Sequence, residues 1–303
     1  MSELRQLLED YLVTRRAFGY RLERAGRLLS QFVDYCDERG VEIVTVELAL
    51  TWATLPLNCS RLWGASRLSV VRGFTRYLHA LDSSTGVPPA SLLPDESHRV
   101  TPHIYSTLEI VALMRAARTI TSPLRAASTE ALIGLLVASG LRVGEALALD
   151  RSDVDLEAGL LTIRHAKFNK TREVPLHSTS VAALRDYARR RDELMPPAPG
   201  PSFFVSASGT RVLYCNFQRI FHQLVRDSGI EGRARIHDLR HSFAVSALTR
   251  WYEEGTEVTS RLPSLSTYMG HVSPVATYWY LSGSPALLQV AATCLENAYE
   301  VTP

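Results

Sequence analysis

The chain has 303 residues, 33 of them basic and 31 acidic, for a net charge of +2, and 46% of its residues are hydrophobic. This composition is typical of a globular protein and excludes a disordered or fibrous chain, and the length suits about two domains. With no long apolar run, no signal-like N-terminus and four scattered cysteines without a C-x-x-C pair, we predict neither a membrane span nor a disulfide or zinc framework.

Apolar residues recur at helical spacing through the first 82 residues, which predicts four helices. The first is centred on Leu4–Leu12 and the second covers Leu22–Cys36 and ends at Gly40. The third is expected at Val46–Leu55 and the fourth from about Asn58, a suitable N-cap, to Leu81.

The predicted fourth helix carries four arginines, Arg61, Arg67, Arg72 and Arg76. Such a set is consistent with an ordinary solvated face. It is equally consistent with a row of contacts to the phosphates of a nucleic acid backbone.

Segment 86–104 contains four prolines and several small polar residues and is predicted to be a linker. Ser106 and Glu109 have the spacing of a capping box, which opens a helix. A long apolar segment then ends at Gly140, and a short helix is expected near Arg142.

The hydrophobic period changes after Gly159, where Leu160–His165 and Arg172–His177 are predicted to form two strands joined by a turn. Helix returns at 180–194, a short strand is expected at Phe203–Val205, and the chain after Cys215 is again helical. We therefore predict a mainly α protein with a small β-sheet, of the α+β class.

Three polar side chains near the end of the sequence are expected on one side of a helix, since His237, Arg240 and His241 are spaced i, i+3 and i+4. Such a group presents donors to an anion, although a single histidine near a core is more often structural. Tyr278 and Tyr280 point in nearly opposite directions because helical positions rotate by about 100° each, so the two tyrosines are not expected to share a role.

Four motifs occur in a fixed order: Ser-Gly-Leu-Arg-Val-Gly-Glu, Lys-Phe-Asn-Lys-Thr-Arg-Glu-Val-Pro-Leu, His-Asp-Leu-Arg-His-Ser-Phe-Ala, and Met-Gly-His with a tyrosine nine residues after the histidine. In this order and spacing, residues 138–281 resemble the tyrosine recombinase (phage integrase) family. The ending Thr-Tyr-Trp-Tyr-Leu looks most like transposon-borne members.

The resemblance implies a role for each matching residue. Arg142 and Arg240 would clamp the scissile phosphate, Lys167 would protonate the leaving 5′ oxygen, and Tyr280 would be the nucleophile that forms a 3′-phosphotyrosyl link. His237 and His271 would assist with hydrogen bonding and proton transfer. No metal, ATP or other cofactor is implied. Tyr278 is the alternative nucleophile.

The resemblance also implies the domain organisation. Residues 1–85 would form a helical core-binding domain that contacts DNA, 86–104 the linker, and 105–303 the catalytic domain. A C-terminal helix at 284–300 packs either on its own domain or on a neighbouring protomer of a synaptic tetramer. The partner would be double-stranded DNA carrying recombination sites, in the cytoplasm and on the nucleoid.

The two lysines support this interpretation independently, because the other 31 basic residues are arginines. A general acid must release its proton, which arginine effectively cannot do, whereas the pKa of a lysine can be lowered by its surroundings. We therefore favour Lys167 as the acid. Lys170 is the alternative, because Ala166 and Phe168 replace the glycines that often flank the family's lysine. Lys170 and His241 are otherwise assigned to DNA contact.

The leading hypothesis is a site-specific DNA recombinase, integrase or transposase. A DNA-binding accessory protein that kept the fold without the chemistry is one alternative. The other is a topoisomerase of the same chemistry that relaxes DNA without joining partners.

Overall fold

The computed structural model describes residues 2–20, 22–55, 60–93, 101–164, 171–194 and 200–270, with Thr277, Tyr280, Leu287 and Ala292. The chain divides into two compact units, Met1–Val100 and Thr101–Pro303. Each unit has its own hydrophobic core, and each is described here by itself.

The first unit contains the four predicted helices: α1 (Glu3–Ala17), α2 (Glu23–Asp37), α3 (Val46–Thr54) and α4 (Arg61–Leu81). Their apolar stripes face one core, in which Phe32, Leu68 and Phe74 are completely buried. Asn58 lies outside the described residues, and the N-cap of α4 is Ser60, whose side chain accepts from the amide of Trp63.

The boundary between the units falls inside the predicted linker, but residues 86–93 are described as part of the first unit. The amide of Gly86 donates to the carbonyl of Val44 at 2.8 Å. The Arg72 guanidinium donates to the carbonyls of Pro88 and Pro89 at 2.8 and 3.0 Å. The proline-rich start of segment 86–104 is therefore fastened to α4, which its composition alone does not indicate.

The described part of the second unit combines helices with a small antiparallel sheet. Its helices are α5 (Thr107–Arg118), α6 (Pro123–Ser139), α7 (Val143–Ala148), α8 (Ser178–Leu194), α9 (Tyr214–Asp227), α10 (Ile236–Glu253) and α11 (Val258–Met269). Its strands are β1 (Val154–Asp155), β2 (Leu160–Ile163) and β3 (Arg172–Pro175), in the order β1-β2-β3. The predicted α+β class is confirmed.

Two details of the sheet differ from the prediction. Strand β1 was not predicted, because two residues are too few to show the alternation that identifies a strand. The segment Phe203–Val205 forms no strand. Val205 forms an isolated bridge with Arg211, and the preceding residue Ser202 forms one with Asp150. The two phenylalanines of the segment are buried in the core instead.

Helix α6 is the central element of the second unit and packs against α5, α8 and α10. Its apolar residues Leu132, Ile133 and Leu136 are buried, and it ends at Gly140 in the left-handed conformation (φ 59°). The predicted capping box of Ser106 and Glu109 is present at the start of α5. Among the described residues no helix combines the length and the apolar content needed to cross a bilayer.

Gly140→Ala is expected to lower the free energy of unfolding by about 2–4 kcal/mol, from positive-φ strain together with a steric clash. A Cβ at this position would lie 2.4 Å from Cδ1 of Phe243. Gly229→Ala is the matched control, since Gly229 has φ 66° but no atom within 4 Å of the position that a Cβ would take, and it should cost only about 1 kcal/mol. Urea denaturation measures both, and equal losses would contradict the clash.

Candidate active site

Arg142 lies in the short junction between α6 and α7, where its position is fixed by several contacts. After Gly140 the chain is extended at Arg142, which is the N-cap residue of α7. Glu145, three residues on, accepts from the amide of Arg142 at 3.1 Å and from its Nη1 at 2.8 Å. The carboxylate thus holds both the backbone and the guanidinium of Arg142.

Arg240 lies in the first turns of α10 and is only 3% exposed. Its Nη1 donates to the carbonyl of Gly140 at 2.6 Å and its Nη2 to the carbonyl of Met269 at 2.8 Å. Burial, followed by the charge of Arg142, lowers the pKa of Arg240 to about 10. The guanidinium is therefore still charged at neutral pH.

Three arginines converge on the last carbonyls of α11. Arg142 donates from Nη2 to Gly270 (2.9 Å), Arg240 from Nη2 to Met269 (2.8 Å) and Arg172 from Nε to Tyr268 (3.2 Å). A helix C-terminus carries partial negative charge and carbonyls without intrahelical partners, so it stabilises clustered cations. The arrangement gathers positive charge in one place while keeping each guanidinium in a fixed orientation.

Tyr280 and the two histidines of α10 lie beside this cluster. The ring centroids of His237 and His241 are 4.9 Å apart, and those of His241 and Tyr280 are 5.4 Å apart. Tyr280 is 3% exposed and belongs to the core cluster that includes Ala244, Leu248 and Met269. Tyr280 acts on the pKa of Arg240 in the direction opposite to burial and raises it.

Both histidines have a lowered pKa. Burial is the largest cause for both rings. The next cause is the charge of Arg240 for His237 and the neighbouring His237 for His241. The pKa of His241 falls to about 4. At neutral pH both rings are therefore uncharged, with one nitrogen that donates and one that accepts.

The folded protein is expected to lose stability as the pH falls below about 6.5, because the unfolded state then takes up the proton that folded His241 refuses until about pH 4. The contribution of His241 to the free energy of unfolding is complete above its ordinary pKa of 6.5. It is lost as the pH falls toward the pKa of about 4 that His241 has in the folded state. Between about pH 7 and pH 5 the loss should be about 1–2 kcal/mol from His241. Urea midpoints at both pH values should show a smaller change for His241→Gln, whereas exposed His177→Gln should behave as wild type.

Two residues of this site were missed in the sequence. Glu145 links Arg142 to Arg172, which donates to it from Nη2 at 2.8 Å and from Nη1 at 3.2 Å. The spacing Arg142-x-x-Glu145 is that of a capping pair and could have identified Glu145. Arg172 contacts residues 27 to 97 positions away, so no local pattern identifies its partners.

Comparison with known proteins identifies the family. Residues 106–285, more than half of the chain, match the phage integrase family. The chain belongs to this family. It is thus a site-specific DNA recombinase of the tyrosine type, a strand-transferring enzyme.

Individual relatives match this recombinase over nearly its whole length. The y4rB protein of Sinorhizobium fredii, named as a candidate integrase/recombinase, is 41% identical over 99% of both chains. The tyrosine recombinase XerC of Alcanivorax borkumensis is 26% identical over 89% of both. The solved Tn1549 transposon integrase in complex with a circular intermediate DNA shares the fold, with a TM-score of 0.67 and 15% identity over 91% of this chain and 94% of that one.

Of the predicted catalytic residues, the structure brings Arg142, His237, Arg240 and Tyr280 together. Lys167, Lys170 and His271 lie outside the described residues, as does the alternative nucleophile Tyr278, and their roles stay predictions. Of the predicted helix 284–300, only Leu287 and Ala292 are described, and Leu287 is buried in the same core cluster as Tyr280.

The arginines of α4 do not form a single DNA-facing row. Arg67 is 8% exposed, donates from Nη2 to the carbonyl of Trp52 at 2.8 Å and lies 3.7 Å above the Trp52 ring. It is a core residue, which corrects its assignment to DNA contact. Arg72 is half-buried on the carbonyls of Pro88 and Pro89, where burial and Arg76 lower its pKa. Arg61 and Arg76 are exposed.

Arg67→Ala is expected to lower the free energy of unfolding by about 1–3 kcal/mol, since it removes a buried hydrogen bond and a stacked cation. The matched change Arg76→Ala should alter stability by less than about 0.5 kcal/mol. It should instead weaken binding to a random-sequence duplex and reduce the salt slope of the affinity by about one. Urea denaturation and fluorescence anisotropy across salt concentrations measure the two effects, and the reverse pattern would contradict both assignments.

Proposed function

We propose that this recombinase cuts and rejoins double-stranded DNA through a 3′-phosphotyrosyl intermediate on Tyr280. The observation that carries the proposal is the position of Tyr280 beside His241 of α10, the helix from which Arg240 reaches the end of α11. There Arg142 and Arg240 are held by carbonyl and carboxylate oxygens. A phosphodiester drawn to these arginines would meet the phenol that attacks it.

The proposed step begins when the Tyr280 hydroxyl gives up its proton to a neutral imidazole, a role assigned to His237, and its oxygen attacks the phosphorus. The bond from phosphorus to the 5′ oxygen breaks, and that oxygen takes up a proton and leaves as a hydroxyl. The developing negative charge falls on the nonbridging oxygens, which the planar guanidiniums of Arg142 and Arg240 can bind. The free 5′-hydroxyl of a partner strand reverses the step, and the phosphotyrosyl ester conserves the energy of the broken bond.

Two groups assist the proton transfers in this proposal. His237, uncharged at neutral pH because burial and Arg240 lower its pKa, can accept a hydrogen bond at the site. Lys167 is assigned as the acid that protonates the leaving oxygen, since arginine holds its proton too tightly for that role. His271 is assigned to hydrogen bonding with the phosphate.

The proposed partner is double-stranded DNA that carries recombination sites. Support comes from the fold shared with the Tn1549 integrase, which was solved in complex with circular intermediate DNA, and from the exposed Arg61 and Arg76 on α4. We further assign the protein to the cytoplasm, on the nucleoid, as a synaptic tetramer.

Covalent trapping tests the proposal. The full chain is incubated with a pool of nicked duplexes whose binding sequence is randomised, in buffer with EDTA, and is then run on a denaturing gel. When the nick lies close to the cleavage point, the short fragment that carries the new 5′-hydroxyl dissociates. The step then cannot reverse, so the covalent intermediate accumulates and its DNA can be sequenced. A shifted band is expected. Its absence, with retained DNA binding, would favour the accessory protein, and relaxation of any plasmid regardless of sequence would favour the topoisomerase.

A further inference from the structure

Arg172 is the third arginine at the end of α11, and the reaction described above does not use it. It is the first residue of β3, and its side chain is 13% exposed. Its guanidinium contacts two separate parts of the site, the Glu145 carboxylate and the carbonyls at the end of α11.

The contacts of Arg172 use most of its donors. Nη1 and Nη2 donate to the two oxygens of Glu145 at 3.2 and 2.8 Å, which is a bidentate pair. Nε donates to the carbonyl of Tyr268 at 3.2 Å, and Nη2 also approaches the carbonyl of Met269 at 3.5 Å. A Cβ at Gly270 would lie 2.6 Å from the Arg172 Cζ, so the fork is packed tightly against this turn.

Two of the three partners of Arg172 each hold one of the two proposed clamp arginines. Glu145 accepts from Nη1 of Arg142, and the carbonyl of Met269 accepts from Nη2 of Arg240. Burial opposes the ionisation of Glu145, yet the hydrogen bonds from Arg172 and Arg142 keep the pKa of its carboxyl below the ordinary value. A neutral side chain at 172 would leave Glu145 with Arg142 as its one cationic partner among the described residues, and the carboxylate would draw that guanidinium toward itself.

From these contacts we infer that Arg172 is a positioning residue for the phosphate clamp: it fixes Glu145 and the end of α11 so that Arg142 and Arg240 are oriented to bind the scissile phosphate. The inference rests on the proposed function. It predicts that the loss of Arg172 impairs transition-state stabilisation and leaves the affinity for DNA nearly unchanged.

The test compares two substrates made from the duplex that wild-type protein selects in the trapping experiment. One carries an ordinary scissile phosphate and the other a methylphosphonate, in which a methyl group replaces one nonbridging oxygen and removes its charge. A clamp that neutralises this charge matters less on the uncharged substrate. Single-turnover rates of adduct formation are measured for wild type, Arg172→Gln and Arg172→Lys, with Arg142→Ala as the reference for a damaged clamp.

Arg172→Gln is expected to slow adduct formation by about 10²-fold on the phosphate, the effect of a small displacement of a catalytic group. The loss should shrink to less than about tenfold on the methylphosphonate, as for Arg142→Ala, while binding affinity changes by less than about threefold. Arg172→Lys should lie between wild type and Arg172→Gln, because an ammonium can pair with Glu145 but cannot form the fork.

Arg191→Gln is the matched control, since Arg191 is 4% exposed and also donates to a backbone carbonyl, that of Phe203, outside the site. Any loss it causes should be equal on the two substrates. If Arg172→Gln lost the same factor in rate on both substrates, the inference would be overturned. Arg172→Lys serves for this comparison if the glutamine variant does not fold. The wild-type adduct would still support the proposed function in that case. No wild-type adduct in the trapping experiment would refute the proposed function itself.

Discussion

Tyr280→Phe is expected to abolish the covalent adduct, with a loss of at least about 10⁴-fold, since the variant lacks the only oxygen that the proposed chemistry links to phosphorus. The phenylalanine ring can keep the packing of Tyr280 against His241 and the core of α10 and α11, so the variant should fold and still bind DNA. The measurement is the shifted band on a denaturing gel, together with anisotropy of the noncovalent complex.

Tyr278→Phe is the control for this prediction, because Tyr278 is the alternative nucleophile two residues away. It should give the wild-type band. Adduct formation by Tyr280→Phe would assign the chemistry to another residue, and loss of adduct in Tyr278→Phe alone would assign it to Tyr278.

Arg240→Lys is expected to slow adduct formation by about 10²–10³-fold even though the charge is kept. The guanidinium reaches the carbonyls of Gly140 and Met269 together, from Nη1 and Nη2. An ammonium cannot span both carbonyls and also present a donor to the phosphate. In a site this buried, the pKa of a lysine would also be lowered, so part of the population would lose the charge.

The control for Arg240 is Arg191→Lys, which alters an equally buried arginine outside the site. Its rate should stay within about threefold of wild type, the range of a distant substitution. Single-turnover rates and melting temperatures of both variants separate catalysis from folding. A wild-type rate for Arg240→Lys would mean that charge alone suffices at this position.

The sequence predicted most helices of the fold because each is encoded locally. The apolar stripe of α2, the capping box at Ser106 and the glycine that ends α6 all lie within a few residues of the feature they specify. The motif order also selected Arg142, His237, Arg240 and Tyr280, which the structure places around one point.

The remaining contacts could not be predicted, because their partners are distant in the chain. Arg240 donates to a carbonyl 100 residues earlier, and Arg142 to one 128 residues later. Arg67 is different, since its misassignment could have been avoided. At about 100° per residue, Arg61, Arg72 and Arg76 lie within about 60° of one another on α4, whereas Arg67 lies on the opposite side.

The convergence of three guanidiniums on the end of α11 also limits how the length of this helix can change. Inserting or deleting one residue in Val258–Met269 would turn the terminal carbonyls by about 100° and move them by about 1.5 Å. Arg142, Arg172 and Arg240 would then lose their carbonyl partners at the end of α11 together. The turn of Glu254 and Gly255 before α11 contacts none of these arginines through its described hydrogen bonds. In related recombinases, length variation is therefore expected in that turn and not in the helix.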